Sequence, residues 1–327
     1  MMRRSPLLLN LLLVVGLVVL SALSLIAGKV WVPLGHLAVA SDPRWAIITE
    51  LRVPRTILGL AVGATLGLSG AVLQGYTRNP VADPGLLGVS SMASLGAVLT
   101  IYLGLTGAAP WMMVAFAMSG AGIGVLILLA LAGSAGGATT FLLAGMVLNV
   151  IAEAGLSLAL MLSPNAWATS EIITWLLGSV ADRSMVDVRI ALPFIVVGSG
   201  LLLTTGRALD ALTLGEAGAR SVGVSLRRTQ VVIAVGVGLA CGASVAVTGV
   251  IGFVGLIVPH LVRPLVGSRP GALLVPSALA GAALLVAADI LVRLTPAASE
   301  VRLGVAMAVL GGPFFLWLLL SMRRRLA

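Results

Sequence analysis

The sequence is laid out as apolar stretches long enough to cross a bilayer, separated by short polar turns, and that spacing leaves few folds open. A hydrocarbon core of about 30 Å takes roughly 20 helical residues. On that ruler about ten stretches qualify, at 7–27, 53–76, 85–104, 110–131, 140–162, 190–206, 229–248, 251–266, 272–293 and 303–320. Lipid offers the backbone no hydrogen bonds, so each stretch reads as a helix. The chain reads as an all-α polytopic membrane protein with a single transmembrane domain, 1–327. Composition agrees, since 59% of the 327 residues are hydrophobic and 9% charged, too little polar surface to keep such helices in water. Pro259 and Pro264, with His260 and Arg263, interrupt the stretch at 251–266 and predict a half-helix there. Met1, Met2, Arg3 and Arg4 ahead of 7–27 resemble a secretory signal. The apolar run is too long and lacks a small-residue cleavage site, so it reads as a retained first span.

The formal charge of +9 comes from 20 basic and 11 acidic residues. With few aromatics and with arginines placed between apolar spans, it reads as membrane topology rather than nucleic-acid binding. Placing the N-terminus in the cytoplasm puts Arg3, Arg4, Arg78, Arg207, Arg220, Arg227, Arg228, Arg263, Arg269, Arg323, Arg324 and Arg325 inside, the larger share of the basic residues. Trp31, Trp45, Trp111, Trp167 and Trp175 then fall near the outer interface, and both termini are cytoplasmic. The single cysteine, Cys241, forms no intrachain disulfide and reads as a small packing residue.

Between the second and third spans stands "LQGYTRNPVADPGLLGVSS", 73–91. Pro80 and Pro84 forbid a continuous helix there, while Asn79 and Asp83 suit caps and turns. The second span carries Gly59, Gly63, Gly67, Ala71 and Gly75, a small residue at every fourth position, which predicts one face packed closely on a neighbouring backbone. Residues 69–76, "SGAVLQGY", are echoed at 242–249, "GASVAVTG", and each leads into a broken segment, a hint of repeated halves.

Charged residues sort into three groups. "LRVPRT" sets Arg52 and Arg55 three apart on one helical face, where two roles fit: anchoring to lipid headgroups or docking an acidic partner. The loop 207–228, "RALDALTLGEAGARSVGVSLRR", predicts short amphipathic helices broken at Gly215, Gly218 and Gly223, with leucines suited to binding a protein. Inside the spans, Glu153 has no obvious partner and reads as a candidate for a translocation path, whereas Asp289 and Arg293, four apart, read as a structural ion pair.

Nothing in the inventory is catalytic. His36 and His260 are the only histidines, and no metal-ligand spacing occurs. A phosphate-binding loop, G-x-x-x-x-G-K-[ST], needs Ser or Thr directly after its lysine, yet the one lysine, Lys29, precedes Val30. Any ATP and magnesium used by this protein therefore sit on another chain.

Seven blocks together resemble the FecCD permeases, the membrane subunits of type II ATP-binding-cassette importers for iron-siderophores, haem and cobalamin. They are "LRVPRT", "GAVLQGYTRNPVADPGLLGVSS", "ITWLLGSV", "LDALTLGEAGARSVGV", "IGFVGLIVPHLVR", "LLVAADILVR" and "VLGGPFFLWLLL". The resemblance runs from about residue 50 to the C-terminus. It implies a ten-span protomer with an inverted pseudo-repeat in the bacterial inner membrane, with the pore between two copies, identical or paralogous. Two ATPase subunits lie below and a periplasmic or lipid-anchored substrate-binding protein above.

On that resemblance, Arg52, Arg55 and Arg293 dock the binding protein. Leu209, Leu212, Leu214, Gly215, Glu216, Arg220 and Val224 belong to the element that couples to the ATPase, and Asn79 and Val81 to the cytoplasmic gate. Two departures stand out: Arg302 replaces a usual proline after Ser299, Glu300 and Val301, and Ala217 replaces a usual second acid after Glu216. The expected cargo is a ferric siderophore or haem in preference to cobalamin. The alternative reading is a secondary transporter driven by an ion gradient, with Glu153 and Asp289 as its coupling acids.

Overall fold

The computed structural model describes residues 6–31, 44–107, 109–133, 137–267, 269–296 and 300–326. Of the residues singled out above, Met1, Met2, Arg3, Arg4, His36 and Ser299 fall outside these. The described chain is helical throughout: α1 Pro6–Ile26, α2 Val53–Thr77, α3 Val89–Tyr102, α4 Pro110–Ala132, α5 Ala138–Met161, α6 Ala166–Leu176, α7 Met185–Leu203, α8 Gly206–Leu212, α9 Gly215–Ser221, α10 Leu226–Thr248, α11 Val254–Val266, α12 Pro270–Arg293 and α13 Leu303–Leu326. A stretch of wider turns, Ile47–Arg52, leads into α2.

Among the described residues, eight helices are long and apolar enough to cross a membrane, and α3 and α11 are apolar but shorter. The expected span at 85–104 is trimmed because Pro84–Leu87 forms a tight turn and Gly88 enters the left-handed region at φ 70°, so the helix begins only at Val89. The half-helix expected at 251–266 is α11, which starts after Phe253 at φ 69°. Sequence reading missed α6, although Asn165 supplies a readable N-cap, accepting from the Ala168 amide at 2.9 Å. The loop 207–228 does form two short helices. Gly215 opens the second at φ 85° and Gly223 follows it at φ 86°, but Gly218 lies inside α9 and breaks nothing.

Helix α2 is the central post. It packs along α12 and also against α7, α10 and α11, while α3 pairs with α4 and α1 rests on α12. Glycine makes the α2 contacts possible. A Cβ added at Gly63 would sit 2.4 Å from the Gly281 carbonyl oxygen, and one at Gly67 2.2 Å from that of Ser277, so α12 lies almost backbone-to-backbone on α2. Lipid provides no hydrophobic drive between helices, and such close approach gains dispersion contacts instead. Gly70, off the predicted stripe, does the same toward α11, where its Cβ would lie 2.0 Å from the Gly255 oxygen.

Gln74 completes the joint with α11. Pro259 has no N–H to give the carbonyl one turn back, which is that of Gly255. The Gln74 amide donates to that oxygen at 3.2 Å and to Leu256 O at 3.4 Å, and Gln74 Oε1 accepts from Arg263 Nη2 at 2.7 Å. Gln74 is buried, and this cross-helix bonding spares it the cost of an unpaired polar group.

Overpacking a tight contact costs about 1–3 kcal/mol. Gly67→Ala should therefore lower the unfolding temperature of the purified protein, whereas Gly122→Ala, at a glycine with open space around it, should leave it near wild type. Equal behaviour of the two variants in a thermal melt would refute the seam as the organising contact.

Candidate functional site

Two polar regions lie at opposite ends of α2. At its N-terminal end a cleft of about 520 Å³ is lined by Lys29, Arg52, Arg55, Arg293 and Arg302, with Asp182 and Glu300 among them. Arg55 donates through Nε at 3.0 Å and Nη2 at 2.8 Å to Asp289 Oδ1, and through Nη1 at 2.9 Å to Glu300 Oε2. Arg293 pairs with the same Asp289 as expected from their spacing, and donates to the Ser24 carbonyl at 2.8 Å and to Ser24 Oγ at 2.9 Å. Arg52 donates to Leu25 O at 2.8 Å and also to Val30 O. Two of the three arginines thus satisfy the carbonyl end of α1, where cations are favoured. Arg52 and Arg293 are only 7% and 4% exposed, so they are neither loose lipid anchors nor free surface cations.

Beside this cleft, and sharing Arg302 with it, a second cavity of about 370 Å³ is lined by Trp167, Glu171, Trp175 and Arg183. Trp175 was expected at a water interface like Trp167, yet it is 8% exposed against 79% for Trp167. Burial pushes the Arg183 guanidinium below its ordinary range, an effect countered by Asp187 and Asp182 and reinforced by Arg302.

At the other end of α2 stand the broken segment and the loop. Asn79 Oδ1 accepts from the Val81 amide at 3.1 Å, and Asp83 Oδ1 from the Gly85 amide at 2.9 Å, the turn roles anticipated from sequence. Burial raises the pKa of Asp83, offset in part by the Gly85 bond. Arg78, Pro80, Thr213, Arg263 and Arg269 surround a cavity of about 290 Å³ there.

The loop helices divide their leucines. Leu209 and Leu212 are buried at 0% and 2%, and Val224 packs against the core. Leu214 and Val222 point outward, 66% and 60% exposed. Arg220 is exposed and pairs with Glu216 at 3.7 Å. Glu216 also reaches inward, its Oε1 accepting from the Ala138 amide at 3.0 Å.

Glu153 does have a partner. Asn149 Nδ2 donates to its Oε1 at 3.1 Å, and Ser91 Oγ donates to Asn149 Oδ1, so α3 and α5 share a polar ladder. The spacing of four was readable; the contact with Ser91 was not. This ladder lies on an exposed flank of α5 beside Met146, Val150 and Leu158, all more than half exposed.

The sequence pattern of the FecCD transport family matches residues 16–321. The chain belongs to the FecCD transport family. Among FecCD relatives, the cobalamin import permease BtuC of Halobacterium salinarum is 42% identical over 273 residues, 84% of this chain and 73% of the relative. The hemin transport permease HmuU of Yersinia pestis is 35% identical over 290 residues, 87% and 86% of the two chains. The Fe(3+)-citrate import permease YfmD of Bacillus subtilis is 38% identical over 282 residues, 83% and 80%. A solved chain described as an inward-facing conformation of a metal-chelate type ABC transporter superposes with a TM-score of 0.87 at 29% identity, covering 97% of this chain and all of that one. The chain accordingly has the type II importer permease fold expected for a FecCD protein.

In this FecCD chain one buried aspartate is shared by the buried guanidinium of Arg293 and the largely buried one of Arg55, and breaking such a cluster costs about 3 kcal/mol or more. Asp289→Asn should therefore lower thermal stability strongly, while Glu300→Gln, at a partner with 35% of its side chain accessible, should cost about 1 kcal/mol or less. Paired melts of the two variants test this, and equal shifts would contradict it.

Proposed function

We propose that the protein is the permease subunit of an ATP-driven importer in the bacterial inner membrane, carrying a ferric siderophore or haem in preference to cobalamin. A second copy of the chain, or a paralogue, completes the pore. The relatives named above carry cobalamin, hemin and ferric citrate, and they support import of a large chelate or corrinoid as the common activity. Both termini and the loop 207–228 then face the cytoplasm. ATP and magnesium bind to a separate ATPase, so this chain is not itself an enzyme.

The observation that carries the reading is the outward pair Leu214 and Val222 on a loop whose other leucines are buried. Two large apolar side chains held out on a polar loop suit a groove on another protein. In the same reading Asn79 and Val81 sit at the cytoplasmic gate. The cleft around Arg52, Arg55 and Arg293 receives the substrate-binding protein through its positive field, since these side chains already hold internal partners. Arg302, at the rim of both outer cavities, is the cation best placed to test that field: Arg302→Glu should weaken capture of the binding protein, and added salt should mimic it. Unchanged capture in both conditions would remove docking from this cleft.

The coupling test is a co-purification. Leu214→Asp must place a charge in the ATPase groove or lose the contact, so the permease should fold normally and lose its ATPase or its stimulation by loaded binding protein. Leu212→Asp instead buries a charge inside the permease and should destabilise the fold. Wild-type co-purification and stimulated hydrolysis from Leu214→Asp would refute the loop as the coupling element. Uptake by this chain alone under a proton gradient would favour the secondary-transporter alternative. Assays of ATP hydrolysis in lipid nanodiscs with haem, siderophores and cobalamin identify the cargo.

Glu153 belongs to the path or to the seam between copies, because a carboxylate facing lipid at mid-bilayer costs a few kcal/mol. Glu153→Gln keeps an acceptor for Asn149 and removes the charge, so uptake should change while the ATPase stays bound. Wild-type uptake across pH would assign Glu153 a structural role.

A further inference from the structure

Several helices here are capped by the residue just before them: α6 by Asn165, α7 by Ser184 and α10 by Ser225. Helices α5 and α12 have no such side chain. Their amide ends are met from the loop. Asp210 of α8 accepts from the Gly271 amide in the first turn of α12 at 2.8 Å, and Glu216 of α9 accepts from the Ala138 amide at the start of α5 at 3.0 Å. A carboxylate on a helix's amide end combines a charge-assisted hydrogen bond with the favourable end of the helix dipole. Glycines make room in both places. A Cβ at Gly137 would lie 2.6 Å from Glu216 Oε1, and one at Gly271 3.0 Å from Asp210 Oδ2.

The two helices held in this way run on to two polar clusters, the Asn149–Glu153 ladder on the exposed flank of α5 and Asp289 with its arginines near the far end of α12. At about 1.5 Å per residue, α5 carries the loop's grip roughly 22 Å to Glu153, and α12 carries it roughly 27 Å to Asp289. We propose that Asp210 and Glu216 are positioning residues that turn movement of the α8–α9 loop into movement of α12 and α5. This rests on the importer reading and deepens it: Leu214 and Val222 receive the ATPase's motion, and the two carboxylates pass it on. It also gives Glu216 an inward task, in place of the direct ATPase contact that its position in the loop suggests.

The test measures substrate moved per ATP hydrolysed by the complete complex in proteoliposomes. Simple loss of assembly would lower uptake and hydrolysis together, whereas a broken tether lowers their ratio. Glu216→Ala and Asp210→Ala should each reduce the ratio about fivefold or more with the ATPase still bound. Glu216→Gln, which keeps an acceptor oxygen, should fall between the alanine variant and wild type. Gly137→Ala leaves the loop sequence untouched but pushes the flexible Glu216 carboxylate off the Ala138 amide, so it should reproduce Glu216→Ala.

A wild-type ratio in Gly137→Ala, or loss of the ATPase from Glu216→Ala, would overturn the tether, the latter by showing that Glu216 contacts the ATPase itself. A wild-type chain that recruits no ATPase would bring down the importer reading and this inference together. Normal recruitment with unaltered variants brings down this inference alone.

Discussion

How closely α2 can approach its neighbours determines where everything else sits. With carbonyl oxygens of α12 and α11 less than 2.5 Å from where side chains would begin at Gly63, Gly67 and Gly70, the three helices touch through backbone atoms. Arg55 on α2 meets Asp289 on α12 because the helices are that near, and Gln74 reaches the carbonyl freed by Pro259 for the same reason. In water, hydrophobic burial would tolerate a looser arrangement. Between lipid tails the gain comes from contact itself, and a missed contact is not repaid elsewhere.

Two sets of polar groups are placed within that frame. At the cleft end Arg52 and Arg293 close the carbonyl terminus of α1, a helix that otherwise exposes most of its surface, while Arg55 and Arg293 share one buried aspartate. The acids of the loop close the amide termini of α5 and α12. Cations at one end and carboxylates at the other thus serve complementary ends of helices, which is the direction the helix dipole favours. Helix α12 takes part in both arrangements, so its two ends are fixed by opposite charges about one bilayer apart.

The positions of the long membrane helices were legible because hydrophobic length is a local property, whereas the short α6 was not read. So were the glycine stripe from Gly59 to Gly75, the Asp289 and Arg293 pairing at four residues, and the turn chemistry of Asn79 and Asp83. Contacts that join distant stretches were not legible. Nothing near Arg55 announces Asp289, 234 positions away, and nothing near Glu216 announces Ala138. Exposure was equally hidden: Leu212 and Leu214 are two residues apart in one loop, and only the folded chain shows that one faces inward and the other outward. Glu153 shows the intermediate case, where its own-helix partner Asn149 could be read from spacing and the cross-helix hydroxyl of Ser91 could not.

The glycine contacts also differ in kind, and that difference bears on genetics. At Gly311 an added methyl would strike the Cβ and ring of Phe253, a side chain that a second mutation, to glycine, can remove. At Gly63 and Gly67 it would strike main-chain oxygens, which no substitution removes. A selection for revertants should therefore recover compensating changes at residue 253 for an alanine at 311. For an alanine at 63 or 67 it should return only true reversion.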